Sequence, residues 1–334
     1  MRVASVGPGI AVILGLSGAL APILRGEVAV GTLAELRALE GKVQDVVEKA
    51  LPATVSLFSE REGSSGSGVI VTREGIVLTA GHVVEGMEEV TVVFPSGKQA
   101  KAEVLGANLS KDAAMVKLRG DGPWPFVEVG ESRDLVVGDF VVSLGHAGGY
   151  DPLRTPPARF GRIVGLNPLG FIGTDCTLIG GDSGGPLFDT EGRLVGIHSS
   201  IGASLMANNH TGVSNFKSDW ARLEKGDTWG RLTMNPLMNP DRPVIGFNVD
   251  SSVRGGVRLS EIFPDSPAEM AGLKRGDVVL TIDGKPVRSL RNLQGILAER
   301  EAGDEIELTY TRDGQERTRT LKLARLADVL GEEK

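Results

Sequence analysis

The sequence predicts a mostly β protein made of two compact units, with helices at only a few places. Between residues 53 and 225, short alternating or apolar runs recur, separated by Gly, Pro, Asn and Asp. Many short strands at such spacing indicate a β-sandwich or a β-barrel. Residues 226–242 lose this pattern and carry Gly, Asn and Pro in loose order, after which strand-like runs resume. Glycine is abundant, at 46 of 334 residues, which suits a fold with many turns.

The composition is that of an ordinary folded protein. Hydrophobic residues make up 41% of the chain and charged residues 24%. The net charge of −7 gives no reason to expect a nucleic-acid partner. The single cysteine, Cys176, excludes an intrachain disulfide, so an oxidising compartment is neither required nor excluded.

Residues 1–30 differ from the rest of the chain. Residues 3–24 carry no charge, and residues 10–16 at their centre are strongly apolar. This pattern predicts export, either with a signal peptide cut near the small residues 19–21 or with an uncleaved membrane anchor. A buried core helix is the alternative, but the glycines and prolines of this run fit a packed helix badly.

Residues 31–52 predict one helix that packs on the outside of the first unit. Thr32 can cap its start, and Pro52 ends it. Its apolar residues recur at roughly helical spacing. They are Leu33, Leu36, Val43, Val47 and Leu51.

The glycine-rich stretch 180–187, Gly-Gly-Asp-Ser-Gly-Gly-Pro-Leu, is the strongest chemical signal in the chain. Glycines near Ser183 let the backbone approach a substrate and adopt dihedral angles that other residues avoid. The amides of Gly181 and Ser183 can then point at one spot, as an oxyanion hole requires. A glycine-rich turn that happens to contain a serine is the alternative, which the complete octet disfavours. In this octet the sequence resembles the trypsin-like serine proteases.

That resemblance implies two partners for Ser183. His82 directly follows a strand-like run in Thr-Ala-Gly-His, the general-base segment of such proteases. An imidazole there takes the serine proton and returns it to the leaving amine. Asp112 opens a mostly apolar run and would hold the histidine tautomer. Taken alone, His82 is an ordinary histidine and Asp112 an exposed strand-edge carboxylate, but their order before Ser183 favours a triad.

The surrounding sequence resembles more closely the HtrA (high-temperature-requirement) family of exported quality-control proteases. The resemblance covers about residues 44–330 and implies two β-barrels with the triad in the cleft between them. It also implies an extended substrate strand that pairs with the backbone of Ile197, His198 and Ser199. The motifs are Gly-Ser-Gly at 66–68, Thr-Ala-Gly-His-Val-Val at 79–84, Lys-Asp-Ala-Ala at 111–114, Phe-Ile-Gly-Thr-Asp at 171–175 and Gly-Arg-Leu-Val-Gly-Ile at 192–197.

The sequence departs from this family at two histidine-containing sites. Ile-His-Ser at 197–199 replaces the family's frequent Ile-Asn-Thr, and His-Ala-Gly-Gly at 146–149 replaces Asn-Pro. We interpret His146 and His198 as loop residues near the cleft. No pair of histidines has ligand spacing, so the sequence predicts no metal site.

A third departure is Asp182, which stands where the family usually has asparagine. An unpaired buried carboxylate is costly. We therefore expect Asp182 either to be exposed or to pair with an arginine of a nearby loop. The candidates are Arg154, Arg159 and Arg162.

Residues 243–327 resemble a PDZ domain, through the runs at 265–273 and 276–287. Ser289 is predicted to cap a helix, and two alternating strands follow. In such a domain a peptide adds a strand, and its C-terminal carboxylate lies on free amides of a loop. The resemblance assigns the amides to Ile245, Gly246 and Phe247 and the side-chain pocket to Phe247, Val249, Leu293 and Leu297. Ordinary core residues are the alternative for all four pocket residues, and Leu293 and Leu297 can serve in both roles.

The resemblance thus implies a mostly β fold, with a two-barrel trypsin-like serine protease domain followed by a small α+β PDZ domain. It implies a serine endopeptidase of the periplasm or cell envelope that cuts unfolded or exposed protein segments without a cofactor, while the PDZ domain binds hydrophobic C-terminal peptides. A homotrimer stays open, although no aromatic residue precedes Phe58. A non-catalytic chaperone or peptide-binding scaffold is the alternative function, and an interaction module that acts through the PDZ domain alone is a third.

The expected boundaries are 1–30 for the signal peptide or anchor, 31–52 for the helix, 53–225 for the protease domain, 226–242 for the linker, 243–327 for the PDZ domain and 328–334 for the tail.

Overall fold

The computed structural model describes residues 32–59, 64–201, 208–233, 239–253 and 255–330. The predicted signal peptide or anchor, residues 1–30, lies outside the described residues. Across the described ranges, no helix has both the length and the apolar character needed to cross a membrane.

The first element is helix α1, Leu33–Ala50, where the sequence predicts it. Thr32 caps its start, and the C-terminal half of the helix packs on the β-structure, with Val46 buried. The expected apolar face is wrong at the other end. Leu33 and Leu36 are 64% and 52% exposed.

Six strands close into the first barrel. They are β1 (Thr54–Ser59), β2 (Ser64–Ile70), β3 (Ile76–Thr79), β4 (Glu89–Val93), β5 (Gln99–Asn108) and β6 (Ala113–Leu118). Their order is β5-β4-β1-β2-β3-β6, and β6 pairs again with β5. A one-turn helix, α2 (Gly81–Val84), follows β3. Apolar side chains such as Leu57, Val77 and Met115 fill the interior.

A second closed barrel follows, in the order β10-β11-β12-β9-β8-β7. Its strands are β7 (Phe140–Leu144), β8 (Ala158–Leu166), β9 (Phe171–Thr174), β10 (Pro186–Asp189), β11 (Leu194–Ile201) and β12 (Asn208–Gly212). Cys176 is buried in the apolar cluster of this barrel, and burial raises the pKa of its thiol to about 11.

Helix α3, Val213–Lys225, closes the barrel pair. The first turn carries Ser214 and Asn215, which are polar yet buried and so interrupt the apolar pattern. The next strand, β13 (Thr228–Trp229), pairs in parallel with β5, so the segment expected as a linker begins as part of the first sheet.

The remaining chain forms a second, smaller β-rich unit with its own core. Its elements are β14 (Pro243–Val244), β15 (Phe247–Val253), β16 (Gly256–Ile262), α4 (Pro267–Met270), β17 (Val278–Ile282), β18 (Lys285–Pro286), α5 (Leu290–Ala298), β19 (Glu305–Arg312), β20 (Gln315–Lys322), β21 (Ala324–Arg325) and α6 (Leu326–Leu330). The sheet order is β15-β16-β17-β19-β20, which leaves β15 at an edge, and β14 pairs with β21. Ser289 caps α5, as predicted, by accepting a hydrogen bond from the Asn292 amide at 3.1 Å.

Candidate active site

His82 and Asp112 meet at the ends of two neighbouring strands. His82 lies in α2, directly after β3, and Asp112 directly precedes β6, which pairs with β3. The distance from His82 Nδ1 to each carboxylate oxygen of Asp112 is 3.0 Å. The His82 amide also donates to Asp112 Oδ1, at 3.0 Å. Because a carboxylate only accepts, Nδ1 carries the hydrogen and Nε2 is left as the proton acceptor.

The carboxylate of Asp112 is itself fixed. The residue has φ of 50°, in the left-handed region that aspartate tolerates better than most residues. The Ser199 hydroxyl donates to its Oδ2 at 2.6 Å, and the side chain is almost fully buried. Sequence reasoning named Ser199 only for substrate pairing and missed this bond, since nothing local links residues 87 positions apart.

The protonation of His82 is set by this partner. Burial lowers the pKa of His82, but the hydrogen bond and charge of Asp112, together with the charge of Glu85, outweigh burial and raise the pKa above its ordinary value. An imidazole in this setting stabilises the proton that it gains when it acts as a base.

Ser183 comes from the second barrel, on the turn before β10. Its carbonyl accepts a hydrogen bond from the Ser67 amide of β2, at 2.7 Å. A Cβ atom at Gly66 would lie 2.7 Å from Val83 and 3.1 Å from the Ser183 carbonyl oxygen, so this glycine lets the nucleophile loop approach the segment that carries His82. Within the described residues, no hydrogen bond joins Ser183 Oγ to His82. Catalytic hydrogen bonds are often long without substrate and shorten in the complex.

The loop before Ser183 presents two free amides. The carbonyl of Gly180 accepts a hydrogen bond from the Gly148 amide at 2.6 Å. Because a trans peptide is planar, the Gly181 amide must point to the opposite side. Gly181 has φ of 91°, and a Cβ there would lie 2.6 Å from the His146 carbonyl oxygen. Among the described residues, the amides of Gly181 and Ser183 donate to no partner, so both are available to a ligand.

Asp182 is fully buried, and one of the three candidate arginines pairs with it. Arg159 binds both carboxylate oxygens, at 2.8 Å from Nη2 to Oδ2 and 3.2 Å from Nη1 to Oδ1. Arg154 pairs with Asp151 instead, and the guanidinium of Arg162 lies over an aromatic ring.

The expected substrate-pairing segment needs a correction. The His198 amide donates to the Gly185 carbonyl at 2.8 Å, and the His198 carbonyl accepts from the Gly184 amide at 2.7 Å. Ile197 is buried and paired to both neighbouring strands of the barrel. These main-chain groups are already committed inside the fold, so neither residue can pair with a substrate. Ser199 remains at the cleft and is followed there by Ser200.

His198 is not a loop residue, as the sequence suggested, but a fully buried residue of β11. Its Nε2 lies 3.0 Å from the Leu144 carbonyl oxygen and its Nδ1 lies 2.9 Å from Nδ1 of His210. Nε2 of His210 lies 2.7 Å from the Thr174 hydroxyl. Because a carbonyl only accepts, Nε2 of His198 carries hydrogen, so His210 donates to His198 and accepts from Thr174. Burial lowers the pKa of both histidines, that of His210 to about 3.

His146 is also buried, where the two barrels meet. Its Nε2 lies 3.3 Å from the Thr54 carbonyl oxygen, and its amide donates to Ser67 Oγ at 2.8 Å. The Ser67 hydroxyl in turn donates to the Gly181 carbonyl at 2.8 Å and so supports the loop. In the part of the chain that the structure describes, no group of three or more His, Cys, Asp or Glu is placed to hold a metal ion.

A cavity of about 810 Å³ opens beside the His82–Asp112 pair. Ser199 and Ser200 line one side, and Leu166 and Phe171 of the β8–β9 connection line another. Two residues that follow β13, Leu232 and Thr233, complete the wall, which does not include Ser183. The cavity thus extends from the base along the edge of β11.

A second candidate site is a groove of about 270 Å³ between β15 and α5. Five of the six predicted PDZ residues line it, namely Ile245, Gly246, Phe247, Leu293 and Leu297. The sixth, Val249, is not among the residues that line this groove, and its role in the pocket stays a prediction. Leu326, Val329 and Leu330 of α6 form a further wall that the sequence did not predict.

The loop at the end of this groove depends on Gly246 and Arg242. Gly246 has φ of 89°, and a Cβ there would lie 2.2 Å from Cβ of Ser266, so only glycine fits. Sequence reasoning missed Arg242, which lines the groove. Its guanidinium has no hydrogen-bond or ion-pair partner among the described residues, and burial lowers its pKa. An unpaired cation at this position favours an anionic ligand group.

Comparison with known proteins agrees with this organisation. Residues 66–197 match the family model of the trypsin-like peptidase domain, and residues 243–323 match that of the PDZ domain. A probable periplasmic serine endoprotease DegP-like protein of Halomonas elongata is 32% identical over 284 residues, which cover 81% of this chain and 58% of that protein. Serine protease HTRA1 of Xenopus tropicalis is 29% identical over 331 residues, covering 90% and 71% of the two chains.

The solved structures agree as well. The HtrA-type protease AlgW with a tripeptide superposes with a TM-score of 0.65 at 26% identity, covering 84% of this chain and 96% of that one. The present chain spans slightly less than three fifths of the DegP-like relatives, at 58% and 57% of two of them. With its two barrels, its following PDZ domain and these relatives, the chain matches the HtrA family of trypsin-like serine proteases.

Proposed function

We propose that this chain is a serine endopeptidase that cuts unfolded or exposed protein segments. The observation that carries the proposal is the His82–Asp112 pair, with 3.0 Å contacts, beside a loop on which the amides of Gly181 and Ser183 have no hydrogen-bond partner among the described residues. A base held in one tautomer, a serine and an oxyanion site are the parts that peptide hydrolysis requires.

The reaction follows from this arrangement. Ser183 Oγ attacks the scissile carbonyl carbon while His82 Nε2 takes its proton, and the Asp112 carboxylate stabilises the imidazolium that forms. The amides of Gly181 and Ser183 bind the negatively charged oxygen of the tetrahedral intermediate. His82 then returns the proton to the leaving amine, and water hydrolyses the acyl-enzyme by the same steps in reverse. The substrate strand lies beside Ser199 and Ser200.

The groove of the second unit binds hydrophobic C-terminal peptides in this proposal. The free edge of β15 can pair with an extended peptide, and the amides of residues 245–247 receive its carboxylate. Arg242 adds a positive charge at that end, and Leu293 and Leu297 contact the apolar side chain. The solved relative with a bound tripeptide supports peptides as ligands of this family.

The relatives' names also suggest where the protein acts. Several are named periplasmic proteases, so we assign this chain to the periplasm or cell envelope, with residues 1–30 as its export signal or anchor. The family resemblance makes a homotrimer the assembly to test, by sedimentation of the purified protein.

The test of the proposed activity is the change Ser183→Ala, with Ser96→Ala as its control. Ser96 lies in an exposed turn between β4 and β5 and is outside the proposed machinery. We expect wild type and Ser96→Ala to cleave casein and to react with a fluorophosphonate probe. Ser183→Ala should do neither while its circular dichroism is unchanged, since the remaining catalysis, about 10³-fold over water, is below detection. Substantial casein cleavage by Ser183→Ala would exclude this nucleophile, and an inert wild type would favour the scaffold alternative.

A further inference from the structure

Asp182 lies in the chain between Gly181 and Ser183, whose amides are the proposed oxyanion donors. Its carboxylate is fully buried and accepts three hydrogen bonds, two from the Arg159 guanidinium and one from the Ile179 amide at 2.9 Å. Its main chain is fixed as well. The Asp182 amide donates to the Ile179 carbonyl at 3.1 Å, and its carbonyl accepts from Gly185 at 2.8 Å.

Arg159 reaches this loop from a rigid part of the barrel. It lies on β8, directly opposite Ser143 of β7, and its side chain is 19% exposed. The bond to both carboxylate oxygens matches the planar fork of a guanidinium. The loop is therefore attached to the barrel through one side chain, in addition to its own backbone contacts.

Loss of that side chain would leave Asp182 in an unfavourable state. Burial raises the pKa of Asp182 even though the Ile179 amide and Arg159 favour its ionised form. Arg154 is the other cation nearby, but it is engaged with Asp151 and with the Ala147 carbonyl. Without Arg159 the carboxylate must take up a proton or move toward water, because an unpaired buried charge is strongly unfavourable.

Movement of Asp182 would change the oxyanion site directly. The peptide planes on both sides of residue 182 carry the amide of Ser183 and the carbonyl of Gly181, which is held by Ser67 Oγ. A rotation that takes the side chain out of its pocket turns both planes. The two amides then no longer converge on one point, and loss of one oxyanion donor costs about 10²–10³-fold in kcat.

We propose that Arg159 is a positioning residue, whose ion pair with Asp182 holds residues 180–183 in the conformation that binds the oxyanion. This inference rests on the proposed peptidase function. It assigns to β8 a role in the reaction that no triad residue supplies.

The test compares four proteins: wild type, Arg159→Gln, Asp182→Asn, and the double variant Arg159→Gln/Asp182→Asn. We expect Arg159→Gln to lower kcat on a peptide substrate by about 100-fold, with KM changed less than about threefold, because the defect concerns the transition state. The double variant should regain at least tenfold of that loss, since two neutral amides need no ion pair. A residue that only stabilises the fold would not give this rescue.

Arg162→Gln is the matched control, because Arg162 lies on the same strand and does not contact Asp182. It should keep the wild-type kcat. A wild-type kcat in folded Arg159→Gln, or no rescue in the double variant, would overturn the proposal.

If Arg159→Gln does not fold, the variant Arg159→Lys replaces it in the test, because lysine keeps the charge but not the planar fork of the guanidinium. A kcat lowered by about tenfold in Arg159→Lys supports the positioning role, and an unchanged kcat excludes it. A wild type that never reacts with the fluorophosphonate probe would instead disprove the peptidase function itself.

Discussion

His198 and His210 are two neutral histidines whose rings are hydrogen-bonded to each other inside the second barrel. Each ring nitrogen has one defined role, and the chain of hydrogen bonds runs from Thr174 through both rings to the Leu144 carbonyl. A proton added to His198 at Nδ1 would place two N–H groups 2.9 Å apart with no acceptor between them. A proton added to His210 at Nε2 would remove the acceptor to which the Thr174 hydroxyl donates. The hydrogen-bond chain as it stands therefore requires both rings to be neutral.

This geometry predicts acid sensitivity of the fold. The pKa of each histidine in the folded protein lies below its pKa in the unfolded chain. At pH values between its folded and unfolded pKa, the unfolded chain therefore binds more protons than the folded protein does. Stability is complete above pH ~6.5 and falls as the pH decreases toward the folded pKa, about 3 for His210, by up to ~1.4 kcal/mol per pH unit for each ring. His146, with a lowered pKa, adds to this slope. His82 has a raised pKa, so its contribution to stability is fully present below pH ~6.5 and is lost as the pH rises above that value.

Urea unfolding at pH 7, 6 and 5 checks this expectation, above the range in which most carboxylates titrate. The double variant His198→Gln/His210→Gln keeps His82 and His146 and serves as the comparison. We expect its free energy of unfolding to vary less with pH than that of wild type. Equal slopes for the two proteins would contradict the prediction.

For helices and strands, the sequence correctly predicts the features that depend on neighbouring residues. Thr32 and Ser289 cap their helices as expected because an N-cap depends on neighbours within three residues. His82 is placed correctly because it directly follows a strand. The division into two barrels and a PDZ unit follows from resemblance, which periodicity alone does not supply.

Tertiary context decides the features that the sequence did not predict. The start of α3 is hidden by buried Ser214 and Asn215. The ring partner of His198 is on another strand, so its burial has no local signal. Arg242 is an ordinary arginine in the sequence, and only the fold places its unpaired guanidinium in a groove.

The loop of the PDZ groove provides a prediction at this scale. Gly246→Ala should weaken binding of a fluorescent peptide with an apolar C-terminus by at least ~10-fold, since Cβ adds a 2.2 Å overlap with Ser266 to the strain of a positive φ. Gly284→Ala is the matched control, because Gly284 has φ of 73° but no atom within 4 Å of a Cβ. Fluorescence polarisation measures both variants. Equal affinities for the two would show that the loop tolerates the added carbon.

The two units of the protein have separate apolar cores, and ion pairs between charged side chains connect them. Arg133 lies 2.9 Å from Glu299, and Arg222 pairs with Glu301. These four side chains are between 32% and 60% exposed, and exposed ion pairs contribute only about 0–1 kcal/mol each. These two ion pairs therefore contribute little to stability compared with either core.

We accordingly propose that removal of residues 243–334 leaves a folded protease domain. The shortened protein should react with a fluorophosphonate probe, because every residue of the proposed catalytic site precedes the cut. It should no longer bind hydrophobic C-terminal peptides. Circular dichroism and probe labelling measure the two properties separately, and a folded but unreactive domain would show that the units are not independent.

The burial of Cys176 makes the protein suitable for spectroscopic labelling. It is the only cysteine of the chain, and burial, which raises the pKa of its thiol to about 11, keeps it in the unreactive thiol form at neutral pH. A cysteine introduced on the surface of each unit would thus be the only group that a maleimide dye modifies. Energy transfer between two such dyes would report the distance between the protease and PDZ units during peptide binding, without replacement of Cys176.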